Sequence, residues 1–112
     1  MIALQQPLQL DQCDGDSLLI LWLCDPFDEH YSFRVALSEI EHALSMLGPV
    51  CNTLPPEEPM EDFVLGKFAW GGREFSLYFE RSLGYMQFSS PSSADVQALQ
   101  SALLPVAQTQ KA

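Results

Sequence analysis

Between residues 63 and 89 the chain spells out three strands and two turns whose registers agree, and that agreement restricts the fold more than any other feature. Phe63–Trp70, Arg73–Glu80 and Tyr85–Ser89 read as strands, and in the latter two Phe75, Leu77, Phe79, Met86 and Phe88 fall at every second position, the period of two expected of a half-buried strand. Gly71-Gly72 separates the first two as a tight turn, where positive φ is needed at the centre. That turn sets Phe68 opposite Phe75, Gly66 opposite Leu77 and Val64 opposite Phe79. A four-residue loop, Arg81-Ser82-Leu83-Gly84, then pairs Glu80 with Tyr85, Phe79 with Met86 and Leu77 with Phe88. Two independent turns thus gather one apolar face from Val64, Phe68, Trp70, Phe75, Leu77, Phe79, Met86 and Phe88. A face of that kind has to be buried under a second layer.

The first half of the chain supplies more sheet and one helix. Leu18–Cys24 (Leu-Leu-Ile-Leu-Trp-Leu-Cys) is an unbroken apolar run, the pattern of a strand buried on both faces. A shorter strand is expected near Pro7–Gln12, with Asp14-Gly15 as a favoured two-residue turn between the two. This register sets Cys13 opposite Asp16, Leu10 opposite Leu19 and Leu8 opposite Leu21. Beyond the second strand a helix is capped either by Asp25, with Pro26 in the first helical position, or by Ser32. Phe33, Leu37, Ile40, Leu44 and Leu47 recur at helical spacing, Arg34, Glu41 and Ser45 lie opposite, and Gly48-Pro49 ends the segment. Ser92 or Ser93 caps a second helix with a stripe of Val96, Leu99 and Leu103; Pro105 stops or kinks it, and the tail is expected to fray.

The order is therefore ββαβββα. It predicts an α+β domain of two layers, an antiparallel sheet of about five strands with two helices on one face. One domain is expected over residues 1–112, made of a ββα unit (1–48), a proline-rich acidic loop (49–62) and a βββα unit (63–112). The loop carries prolines at 49, 55, 56 and 59 and acids at 57, 58, 61 and 62. It reads as an extended linker between half-sheets or as a mobile binding loop.

Charge narrows the partner classes. Five Lys and Arg against fifteen Asp and Glu give a net charge of −10. Residues 1–62 hold twelve acids and a single base, Arg34, whereas residues 63–112 hold three acids and four bases. Nucleic acid and anionic membranes are not expected partners, because clustered Lys and Arg drive phosphate binding. A protein partner fits, a basic one in the complementary case, as does a second copy of the chain. Three cysteines, an odd number without metal-like spacing, suit a reducing compartment. The N-terminus lacks the basic and apolar regions of a secretory signal, and Leu18–Cys24 is far too short to span a bilayer, so a cytoplasmic location is expected.

No constellation forms a catalytic, cofactor or metal motif, so no cofactor is expected. His30 with Asp25, Asp28 and Glu29 has chemistry suited to a divalent ion but not the spacing of a ligand loop, and residues 11–16 lack the calcium-loop pattern. Cys24 lies six residues before His30, yet nothing around it signals an activated thiol. The sheet's second face presents Phe63, Leu65, Lys67, Ala69, Ser76, Tyr78, Tyr85 and Gln87, flanked by Glu74 and Glu80. Leu18, Ile20 and Trp22 extend it if that side of the earlier strand faces the same way. Either this face is an interface, or the N-terminus or the 49–62 loop covers it. Asp11, Asp14, Asp16, Asp25 and Asp28 fall at or near strand ends and are expected to form one negative rim.

Three functions fit. The favoured one is a non-enzymatic protein-interaction module, inhibitor-, immunity- or chaperone-like, acting through Leu65, Lys67, Tyr78, Tyr85 and the acidic rim. The second is a small enzyme or ligand-binding protein with a pocket between helices and sheet near Cys24, His30 and Trp22. The third is a structural homodimer.

Overall fold

A computed structural model describes residues 1–110. Its strands and helices, in chain order, are β1 (Ile2–Leu4), β2 (Gln9–Cys13), β3 (Asp16–Trp22), α1 (Phe33–Ser45), β4 (Val50–Thr53), β5 (Phe63–Trp70), β6 (Arg73–Glu80), β7 (Tyr85–Ser90), α2 (Ser93–Leu103) and β8 (Ala107–Thr109). Six strands form one antiparallel sheet in the order β2-β3-β7-β6-β5-β4. The protein is α+β, with α1 and α2 contributing their apolar stripes to a single core against one face of that sheet.

The meander has the register its turns imply. Phe68 pairs with Phe75, Gly66 with Leu77, Val64 with Phe79, and then Glu80 with Tyr85 and Leu77 with Phe88. All eight residues of the apolar face are 5% exposed or less, so the alternation reports burial directly. Phe33 of α1 stacks on Phe79 with ring centroids 4.7 Å apart, and Phe68 and Phe75 each meet Phe88 edge-on. In β3, Leu19 and Leu21 enter the core while Leu18, Ile20 and Trp22 take the opposite side.

Several elements depart from expectation. The sheet has a sixth strand, because Val50–Thr53 pairs with β5 rather than belonging to a loop. Four residues wedged between Pro49 and a proline–acid tract carry too little pattern to announce a strand. Asn52 Nδ2 also donates to Glu41 Oε2 at 2.5 Å, which fastens β4 to α1. The first hairpin pairs Cys13 with Asp16 and Leu10 with Leu19, but the ladder ends at Gln9 and Ile20. Leu8 therefore has no strand partner in Leu21, although it packs against the core. Ser32, not Asp25, caps α1, its Oγ accepting from the Val35 amide at 3.3 Å.

The helix stops at Ser45, two residues short of Leu47. Leu44 O accepts from the amides of Leu47 and Gly48 and from the indole Nε1 of Trp70, at 2.9, 3.1 and 3.1 Å. With its last carbonyls satisfied this way, the chain leaves the helix, and Leu47 lies 65% exposed rather than on the buried stripe. At the other terminus Pro105 lies in a short 3-10 turn, Leu104–Val106, after which β8 pairs in parallel with β1 instead of fraying. Gln110 N adds a bond to Leu4 O at 2.7 Å, while Lys111 and Ala112, the end of the expected frayed tail, lie outside the described residues. Among the described residues, no helix is long and apolar enough to cross a membrane.

Candidate functional site

Both helices cover the same face of the sheet, so among the described residues the other face carries no second layer. Its residues follow from register and alternation. One row across the strands reads Trp22, Tyr85, Glu80 and Phe63; the next reads Gln9, Ile20, Gln87, Tyr78 and Leu65. A third reads Asp11, Leu18, Ser89, Ser76, Lys67 and Thr53. Leu65 and Phe63 are 64% and 66% exposed, which shows that neither the N-terminal segment nor the 54–62 loop lies over them.

The rings along this face are ordered against one another. Trp22 and Tyr85 have centroids 5.4 Å apart, and Tyr85 and Tyr78 lie at 6.0 Å. The Trp22 indole Nε1 donates to Gln9 Oε1 at 3.0 Å, and the side chain is half-buried. Glu80 stands within the aromatic group: Tyr78 OH donates to its Oε1 and Ser82 Oγ to its Oε2, both at 2.6 Å. Those two bonds, Ser82 first and Tyr78 second, hold the Glu80 carboxyl below the ordinary carboxylate range. Conversely, the bond to Glu80 pushes the Tyr78 phenol up to about 12, and burial followed by the Glu80 charge raises Tyr85.

The two turns at this end of the sheet are fastened from behind. Arg81 is 7% exposed, and its guanidinium points away from Glu80. Its Nη1 donates to Asp28 O and Tyr31 O at 2.6 and 3.0 Å and its Nε to Glu61 O at 2.8 Å. Arg34 completes the strap with a two-pronged pairing to Glu61, 3.0 and 2.7 Å, and a bond to Pro55 O. The 54–62 segment is thus tied across α1 by two arginines, and the exposed groove it forms with Phe63 and Leu65, about 370 Å³, includes Met60. Phe27 stands at the same end, 72% exposed with φ of 61°, its amide held by Arg81 O at 2.9 Å. A non-glycine residue in that conformation costs about 1–3 kcal/mol, and it sits here on a surface aromatic side chain.

The expected acidic rim separates into two groups. Asp11, Asp14 and Asp16 surround the β2–β3 turn, whereas Asp25 and Asp28 follow the far end of β3, roughly 20 Å away at strand rise. The latter two have local partners, because Asp25 Oδ1 accepts from Gln5 Nε2 and Asp28 Oδ1 from the His30 amide. Among the described residues, Asp11, Asp16, Glu74 and Glu80 stand on the open face against one cation, Lys67, which donates to Ser76 Oγ at 3.3 Å. Leu65, Lys67, Tyr78 and Tyr85 share this face as expected, while Trp22, Phe63 and Glu80 prove equally central. The central place of Glu80 depends on Ser82, a turn residue whose hydroxyl direction no periodicity encodes.

Cys24 is 5% exposed, and burial raises its thiol above the ordinary value. The groove that includes His30, about 340 Å³, is lined by Tyr31, Ser32, Val35 and Glu39 and not by Cys24 or Trp22. Among the described residues, no three His, Cys, Asp or Glu side chains gather as metal ligands. A larger apolar groove of about 690 Å³ lies in the helix layer between Met1, Met46, Leu47 and Pro105. Comparison of the chain with protein-family models, with curated proteins and with solved structures finds no match.

Proposed function

We propose that this protein is an interaction module that docks a basic protein on the open face of its sheet. The observation that carries the reading is the group of ring and aliphatic side chains from two adjoining rows, Trp22, Tyr85, Tyr78, Leu65 and Phe63, left without a covering layer among the described residues. Tyrosine and tryptophan are the anchors enriched in protein interfaces, because they bury much area at little conformational cost. The sign of the partner follows from the carboxylates around that group. Four acids to one lysine on the face, in a chain of net charge −10, favour a cationic surface. The same charge opposes a face-to-face pair of identical chains and repels phosphate backbones.

The test combines light scattering with affinity capture from the native host. The protein is expected to be monomeric, and capture of a basic protein is expected to fail with Leu65→Asp while persisting with Leu47→Asp on the helix layer. Dimerisation abolished by Leu65→Asp would instead assign the face to self-association, and equal capture by both variants would refute the docking role.

A further inference from the structure

We propose that Glu80, with Tyr78 and Tyr85 beside it, is a receptor for one arginine side chain of that partner. The inference rests on the docking role above and adds the chemical group that is recognised. Three observations support it. First, the carboxylate is held in place: each oxygen already accepts one hydroxyl proton, from Tyr78 and from Ser82. A carboxylate offers about four lone-pair positions, so roughly one remains free on each oxygen. A guanidinium carries a planar pair of N–H donors that can serve both oxygens at once, and an ammonium does not.

Second, the carboxylate stands among aromatic residues. Tyr85 is its cross-strand neighbour, Phe63 flanks it on the other side, and Tyr78 is two residues before it on the same face. A planar cation that meets the carboxylate is therefore positioned to stack on a tyrosine ring. Third, none of the cations among the described residues fills the place. Arg81, next in sequence, directs its guanidinium to three backbone carbonyls behind the sheet. Lys67 pairs with Ser76, four residues up β6 from Glu80 and so roughly 13 Å away. Arg34 is engaged by Glu61, and Arg73 lies over Trp70 near Asp95. A half-buried carboxylate that is anchored and set among aromatic residues without its own cation matches an incoming arginine.

The experiment titrates the full chain, labelled for amide NMR, with short peptides alternating leucine with arginine, lysine or citrulline. The arginine peptide is expected to shift the amides of Glu80, Ser82 and Tyr85 and the Trp22 indole, with lysine weaker and neutral citrulline weakest. Glu80→Gln is expected to weaken the arginine peptide roughly tenfold. Ser82→Ala, which loosens the carboxylate but keeps its charge, should weaken it less, and thermal unfolding checks that both variants remain folded. Equal binding of the citrulline and arginine peptides, or an unchanged affinity in Glu80→Gln, would overturn the arginine receptor. If Leu65→Asp abolishes those same shifts, the docking face stands without it. No shift on this face with any peptide would overturn both.

Discussion

Two side chains at one end of the sheet carry opposite duties. Arg81 is a buried cation whose partners are carbonyl oxygens of Asp28, Tyr31 and Glu61, so it joins the segment before α1 to the segment before β5. Removing it leaves those carbonyls short of donors, and Arg81→Ala is expected to cost about 2–4 kcal/mol in urea unfolding. Lysine cannot reach three acceptors in a fork, so Arg81→Lys should recover only part of that loss. Glu80 faces outward and its main effect is electrostatic. The Tyr78 phenol, raised to about 12 by Glu80, keeps its proton in the folded chain where the unfolded chain has lost it. Stability linked to Tyr78 is therefore full below about pH 10 and falls as pH rises toward 12. Tyr31 rises to about 12 through burial and Tyr85 rises too, so all three tyrosines of the chain move in the same direction. Phenolate absorbance should consequently appear well above pH 10 in the folded protein and near pH 10 in urea, and Glu80→Gln should bring Tyr78 back toward the ordinary value and Tyr85 part of the way.

At the scale of elements, turns and alternation were legible and short or capped pieces were not. Gly71-Gly72 and the Arg81–Gly84 loop determine register by residue count, which is why every pair in the meander could be read from the sequence. The end of α1 could not, since the Trp70 indole that caps Leu44 arrives from a strand 26 residues away. The helical spacing treats Leu44 and Leu47 alike, but the structure buries one and exposes the other. Leu44→Ala is accordingly expected to cost about 2–5 kcal/mol, while Leu47→Ala should stay within about 0.5 kcal/mol, both read by denaturant midpoint. β4 and the β1–β8 pair escaped notice because strands of three or four residues contain barely two alternations. Gly84 has a reason beyond its φ of 73°: its carbonyl accepts from Leu23 and Cys24, and a Cβ there would run into the Cys24 carbonyl. Gly84→Ala should destabilise by more than the roughly 1 kcal/mol of left-handed strain alone.

For the molecule as a whole, the distribution of charge decides more than its total. The acids of residues 1–62 do not converge on one rim. They divide between the β2–β3 turn, the segment after β3, α1 and the strap, where Arg34 engages Glu61. The open face of the sheet was legible as a set of residues, and its lack of cover was not, because cover depends on where both helices and the 54–62 segment settle in space. With that face open, association with a basic partner should slow steeply as salt is added, over a Debye length of roughly 10 Å at 0.1 M. A rate indifferent to salt would place the binding energy in the apolar group alone. The most direct measurement of the central claim is photo-crosslinking in cells of the native host, with a photoreactive side chain at position 65 on the open face or at position 47 on the helix layer. The proposed docking role predicts a crosslink to a basic protein from position 65 and little from position 47; crosslinks from position 47 with none from position 65 would contradict it.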